Sequence, residues 1–171
     1  MQKKEITYDQ AKSKIEALCS QRELCGKEVR DRLQRWGLPL EEHDKLVTHL
    51  IKGRYVDEKR FALFFAKDKH ALSHWGKSKI TFELRNRHIS AEIIEEAISQ
   101  IPEEGYEEQL EEMLRKKLKS IKSGTPYDIC GKLIRFGLSR GYESGLVIKT
   151  AKKIINSDYD TSDYGDEMDN Y

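Results

Sequence analysis

Two histidines, His70 and His74, stand four residues apart in a stretch whose pattern predicts a helix. That spacing puts both rings on one face, as a zinc pair requires. No glutamate separates them, no third ligand is evident, and Cys19, Cys25 and Cys130 lack ligand spacing, so neither a metal nor another cofactor is expected. Tyr55, Asp57 and Arg60 hold the elements of an acid–base set. The competing account is that Asp57 caps a helix while Tyr55 and Phe61 pack around the turn. The chain has no glycine-rich phosphate loop, nucleophile elbow or clustered carboxylate pair, so no catalytic residue is expected.

Bases and aromatics offer a second chemistry, that of binding. On a helical wheel of residues 76–87, Ile80 and Leu84 mark the core side, and Lys79, Phe82, Arg85 and Asn86 fall opposite, with Lys77 at the start. An outward aromatic beside bases can stack on a nucleobase or enter a protein pocket. The alternative is that Phe82 packs against a neighbouring helical unit. Arg115, Lys116, Lys117, Lys119 and Lys122, followed by Lys132 and Arg135, are dense enough to attract phosphates, or else they balance the glutamates that precede them. Trp36 and Trp75 fall at positions expected to be core.

Composition bounds the elements that must carry these residues. Of 171 residues, 36% are charged and 37% belong to the AVILMFWYC group, with a mean hydropathy of -0.75. No run approaches the ~20 apolar residues that cross a bilayer, and the first residues, Met1–Glu5, have no apolar core of a secretion signal. An odd set of three cysteines without CxxC spacing suits a reducing compartment. A cytoplasmic, mostly helical monomer is expected. The net charge of +1 conceals strong segregation. Residues 1–91 are basic, 92–112 hold nine glutamates and no base, 115–153 hold eleven bases and two acids, and 156–171 hold six acids and no base. The last block can fold back onto the bases of 115–153 and compete there with a phosphate backbone.

The 3.6-residue period recurs nine times. Tyr8, Ala11, Ile15 and Leu18 follow a Thr7–Gln10 capping box. Val29, Leu33 and Trp36 precede a Gly37 stop. Leu46, Val47, Leu50 and Ile51 follow Pro39 and end at Gly53. The next apolar sets are Phe61, Phe64, Phe65 and Leu72; Ile80 and Leu84; Ile93, Ile94, Ala97, Ile98 and Ile101; and Leu110, Met113, Leu114, Leu118 and Ile121. Ile129, Leu133 and Phe136, introduced by Thr125-Pro126, and Leu146, Val147, Ala151, Ile154 and Ile155 complete the series. Aligning Val29/Leu33/Gly37 with Ile80/Leu84/His88 and Ile129/Leu133/Gly137 gives offsets of 51 and 49 residues. Such a period signals stacked repeats that complete each other's cores. The expected fold is all-α. It comprises three tandem three-helix repeats (1–56, 57–104, 105–155) in an elongated, curved array, followed by a disordered acidic tail (156–171).

The string Tyr55-x-Asp57-x3-Phe61-Ala62, then Gly76-x3-Ile80-x3-Leu84, resembles the central repeat of the RecX family, and Glu28-Val29-Arg30-x2-Leu33-x3-Gly37 resembles its first repeat. Arg54 and His88 stand where that family has turn glycines. The resemblance implies a tandem three-helix protein without catalytic activity that binds the RecA filament on DNA. It further implies restraint of strand exchange, ATPase and co-protease activity, hence a part in DNA recombination, DNA repair and the SOS response. Tyr55, Asp57, Phe61, Gly76, Ile80 and Leu84 would be the structural motif. Lys77, Lys79, Phe82, Arg85, Lys116, Lys117, Lys119, Lys132 and Arg135 would be the candidates for contact with the filament or with single- or double-stranded DNA. The alternative is a protein acting directly on DNA through its basic helical faces.

Overall fold

Capping residues define where the chain turns helical. The computed structural model describes residues 6–159, and among these it has nine helices and no strand. They are α1 (Tyr8–Gln21), α2 (Gly26–Trp36), α3 (Leu40–Lys52), α4 (Glu58–Ser73), α5 (Lys77–Arg85), α6 (Ala91–Ser99), α7 (Tyr106–Lys119), α8 (Pro126–Ser139) and α9 (Ser144–Asp158). Thr7 with Gln10, and Thr125 with Asp128, form reciprocal capping boxes at α1 and α8. Pro126 occupies the first turn of α8, where its missing N–H costs nothing. Asp57 caps α4 by accepting the Arg60 N–H at 2.9 Å.

The helices arrive as three groups of three, and they pack into two compact units. The first runs through Phe65 and includes Glu83–Ala97; the second takes Ala66–Phe82 and continues from Ile98. A three-helix group of this size buries too little surface to stand well alone. The core of the first unit centres on Ala11, Ile15, Leu24, Val29, Leu33, Leu38, Leu46, Val47, Leu50 and Val56. The second buries Leu110, Leu114, Leu133, Val147, Ala151, Ile154 and Ile155 where α7, α8 and α9 meet.

Four helix ends share one hydrogen-bond pattern, the double closure that follows a left-handed residue. At α2 the pairs are Gly37 N–H to Gln34 O and Leu38 N–H to Leu33 O, both 3.1 Å. At α5 they are His88 to Arg85 (2.9 Å) and Ile89 to Leu84 (3.2 Å), and at α8 Gly141 to Leu138 (2.9 Å) and Tyr142 to Gly137 (3.4 Å). Arg54 and Tyr55 close α3 in the same way. In the three equivalent helices the left-handed positions are therefore Gly37, His88 and Gly141, not Gly37, His88 and Gly137, with Arg54 as the fourth at α3. The third equivalent helix runs one turn longer than the sequence alignment implies. Gly137 lies inside it because a Cβ there would come within 2.7 Å of Val147. It is a packing glycine.

Other expectations shift for identifiable reasons. Ile51, Phe64 and Leu72 are 51%, 63% and 76% exposed, so none is core. On α3 the buried face is His43, Leu46, Val47 and Leu50, and Ile51 falls beyond it in the last turn. On α4 the buried face uses Phe61 with the small Ala62 and Ala66, which pattern reading by large residues underweights. At the C-terminal end, α9 continues through Asp158, three residues into the segment expected to be disordered. The Ser157 hydroxyl donates to Ile154 O, and Asp158 pairs with Arg115 at 3.2 Å. The remainder of the acidic segment, 160–171, lies outside the described residues.

A ladder of ion pairs joins α7 to α9: Glu107–Lys149 (3.1 Å), Glu111–Lys153 (2.8 Å) and Arg115–Asp158 (3.2 Å). Its order shows that the two helices run in the same direction. Hydrogen bonds from Lys153 and Arg115 hold the Glu111 carboxyl below the usual carboxylate range. The Ser157 hydroxyl and Arg115 do the same for Asp158.

These contacts make three outcomes checkable by thermal melting. Gly76→Ala would place a Cβ 2.3 Å from the Gly141 carbonyl oxygen, so it should destabilise by about 2–3 kcal/mol. His88→Gly should raise the melting temperature by roughly 1–4 °C, because relief of a left-handed side chain (about 1–2 kcal/mol) exceeds the added chain entropy. The depressed carboxylates stabilise the fold above their unfolded values, and that contribution is lost as pH falls through their folded ones. The melting temperature should thus fall on acidification below about pH 4.3, and less steeply for Glu111→Gln than for the unmodified chain.

Candidate functional site

Helix α5 begins on a backbone junction, with one hydroxyl from a distant residue beside it. The Gly76 N–H donates to Arg140 O at 2.8 Å and the Ser78 N–H to Gly141 O at 3.1 Å. Unpaired donors at the start of one helix thus meet unpaired acceptors at the end of another. The approach is close enough that a Cβ on Gly76 or on Gly141 would fall within 2.3 Å of its neighbour. Between these two bonds, the Lys77 N–H donates to the Tyr106 hydroxyl at 3.0 Å, and that hydroxyl donates to Glu143 at 3.1 Å. Burial pushes the Tyr106 hydroxyl well above its ordinary value and that of Tyr142 up to about 12, the Glu143 carboxylate adding to both.

This junction decides which candidate side chains remain available. Lys77 pairs with Glu103 and lies 4.9 Å over the Tyr106 ring. Lys79 donates to Ser139 O at 3.1 Å and lies 4.8 Å over Trp75. Both bases serve the fold. Phe82 is 60% exposed, so it does not pack against a neighbouring helix, and Arg85, one turn on, is exposed with no ion pair among the described residues. Ile80 and Leu84 are fully buried beneath them.

The other motif residues have structural placements. Phe61 is buried and stacks on Phe65 at 5.7 Å, Tyr55 stacks on His49 at 6.5 Å, and Arg60 pairs with Glu23 at 2.7 Å. Trp36 and Trp75 are half-buried rather than core, since each ring carries a lysine on its face, Lys14 at 4.3 Å and Lys79 at 4.8 Å.

In the third group the bases divide. Arg115, Lys149 and Lys153 are spent on the ladder, and Lys116 pairs with Glu112 at 2.7 Å. Lys117 lies 5.4 Å over Phe136, whose ring also carries Arg140 at 5.1 Å. Lys132, Arg135 and Phe136 share one face of α8 by their i, i+3, i+4 spacing. The Lys132 ammonium donates to Ser123 O at 3.0 Å. Lys119, Lys122 and Arg135 are exposed, and neither they nor Lys132 make an ion pair with a described residue.

The residues considered for catalysis or metal binding have other partners. His74 lies past the end of α4 with φ 51°, so it does not share a helical face with His70. Its Nδ1 accepts from the Gln109 amide at 2.6 Å, whereas His70 Nδ1 donates to Trp75 O at 3.1 Å. No cluster of three potential ligands occurs among the described residues. Burial pushes all three thiols up, Cys19 to about 11 with help from Glu23 and Glu16. No described helix is long and apolar enough to cross a membrane. Two residues that sequence reasoning missed are Gly141, which a search for a second glycine four residues past Gly137 would have found, and Tyr106. The latter is hidden in an acidic run that carries no aromatic pattern.

Comparison with known proteins fits this arrangement. The family described as "RecX, second three-helix domain" matches residues 57–98, and "RecX, third three-helix domain" matches 104–149. "Regulatory protein RecX" of Clostridium botulinum (strain Eklund 17B / Type B) is 34% identical over 132 residues, which cover 76% of this chain and 61% of that protein. The one from Amycolatopsis mediterranei (strain U-32) is 26% identical over 149 residues, covering 87% and 85%. The match to the clostridial relatives therefore spans about three fifths of their length. Among solved structures, RecX from Lactobacillus salivarius superimposes with a TM-score of 0.70 at 16% identity, over 87% of this chain and 96% of that one. At that identity the likeness concerns the fold. With two domain descriptions tiling more than half of its length, the chain belongs to the RecX family, and the relatives compared above are named regulatory proteins.

Proposed function

We propose that this chain binds the RecA filament on DNA and modulates it, mainly by inhibition of recombinase, ATPase and co-protease activity. The observation that carries the reading is the family membership. Beside it stands the α5 face, where an exposed aromatic and an arginine with no ion pair among the described residues sit one turn apart on a helix whose start is fixed by backbone. Aromatic and arginine anchors of this kind supply most of the energy of a protein contact. The chain would act in the cytoplasm as a monomer, its three repeats being 1–56, 57–104 and 105–155.

The centre of the surface on α5 is taken to be Phe82 and Arg85. Lys79 is left out because its ammonium and backbone belong to the junction with α8. A second reading, direct DNA binding, is favoured by the α8 face, where Lys132 and Arg135 flank an aromatic ring that already carries two cations.

Cosedimentation with RecA, with and without single-stranded DNA, separates the two. The unmodified chain should pellet with the filament and slow its ATP hydrolysis. The double substitution Phe82→Ala with Arg85→Ala should weaken that inhibition roughly tenfold while helicity and melting temperature stay nearly unchanged. A chain that ignores RecA yet binds duplex DNA at physiological salt would instead establish the direct reading.

A further inference from the structure

The aromatic cluster at the start of α5 holds two buried tyrosines whose hydroxyls are used differently. Tyr106 and Tyr142 are 5% and 2% exposed, and their ring centroids lie 5.0 Å apart. The Tyr142 hydroxyl is buried and has no hydrogen-bond partner among the described residues. The Tyr106 hydroxyl uses both of its capacities, donating to Glu143 Oε2 at 3.1 Å and accepting the Lys77 N–H at 3.0 Å. Stacking on His70 at 5.5 Å and contact with Tyr142 hold the Tyr106 ring. Burial pushes its hydroxyl well above the ordinary value, so it stays protonated and remains a donor to Glu143.

The Lys77 N–H is where this relay meets the helix. Gly76 and Ser78, on either side of it, donate to Arg140 O and Gly141 O, two adjacent carbonyls of one segment. Those two bonds fix a line about which the short helix can still tilt. A third bond, arriving from the first residue of α7, removes that freedom. The constraint matters because α5 has nine residues, fewer than the roughly 12–15 at which a helix sustains itself. Phe82 follows Lys77 by five residues, about 7.5 Å along the axis. A tilt of about 15° at the first turn would carry it about 2 Å, outside the tolerance of a preorganised contact. All of these groups belong to the second compact unit.

We propose that Tyr106 and Glu143 are positioning residues for the partner contact. The Glu143 carboxylate aims the Tyr106 hydroxyl at the Lys77 N–H, and that bond sets the angle at which α5 presents Phe82. The proposal rests on the reading that Phe82 meets the RecA filament. It adds two residues that act through α5 rather than by contact.

Tyr106→Phe set against Tyr142→Phe tests it, since each removes one buried hydroxyl from the same cluster and only the first removes a bond to α5. Amide hydrogen exchange reads the bond without any partner. Relative to the amide of Leu133, in the core of α8, the Lys77 N–H should exchange roughly tenfold faster in Tyr106→Phe. In Tyr142→Phe its relative rate should not change. In an assay of RecA ATP hydrolysis on single-stranded DNA, Tyr106→Phe should weaken inhibition roughly three- to tenfold and Tyr142→Phe less than about twofold. Glu143→Ala should weaken inhibition too, whereas Glu143→Gln, which keeps an acceptor oxygen, should preserve it. Equal inhibition by the two tyrosine variants, whether both intact or both weakened, would overturn the proposal. An unchanged Lys77 exchange rate in Tyr106→Phe would overturn it as well. Failure of the RecA reading shows separately: the unmodified chain would then neither pellet with the filament nor slow it, while the exchange contrast at Lys77 persists.

Discussion

The start of α5 and the end of α8 are held together by two backbone hydrogen bonds across a pair of glycines, Gly76 and Gly141. Helix termini leave N–H and C=O groups that must find partners, and here each terminus supplies what the other lacks. Neither glycine brings a side chain, so the two backbones approach closely, and the Tyr106 hydroxyl takes the Lys77 N–H between the two bonds. Around that contact gather Tyr106, His70 and Tyr142, with ring centroids 5.5 and 5.0 Å from Tyr106, sealed by Lys77 and Lys79. The two lysines that look most like binding groups in the sequence are thereby committed to the fold. Phe82 and Arg85, further along the same helix, are what the junction leaves on display.

Electrostatics follow a similar logic of allocation. The glutamates that open α7 take up Lys149, Lys153 and Arg115, so in that part of the basic block the bases balance the preceding glutamates. Among the described residues, Lys119 and Lys122 lie beyond these pairs and make no ion pair, and on α8 Lys132 and Arg135 have only the charge of Asp128 near them. A chain with a net charge of +1 can therefore still offer a distinctly cationic face. Exposed pairs of the ladder type add little stability individually. Their more informative role is geometric, since they fix the direction of α9 relative to α7.

Local signals were legible in the sequence wherever a rule acts over three or four residues. The capping boxes at Thr7 and Thr125, the Gly37 stop and the buried Ile80–Leu84 pair are of that kind. The burial of Ala62 and Ala66 in place of Phe64 and Leu72 was not legible, because the choice of face on α4 depends on what packs against it. The same holds for Gly137 and Gly141. One is buried against Val147 and the other turns the chain, and only tertiary contact distinguishes them. On the candidate surface, the wheel correctly turned Phe82 and Arg85 outward, yet it could not show that Lys77 and Lys79 find Glu103 and Ser139 across 26 and 60 residues of sequence.

The central claim is that α5, anchored at the glycine junction, presents Phe82 to a RecA filament. A photoreactive phenylalanine analogue at position 82 tests this most directly, because the exposed site accepts it without disturbing the core. Irradiation in the presence of RecA assembled on single-stranded DNA should give covalent adducts between the chain and RecA subunits, and adducts should be absent when the analogue replaces buried Phe61. Adducts to DNA alone, or none at all under conditions where the chain cosediments with the filament, would contradict the account.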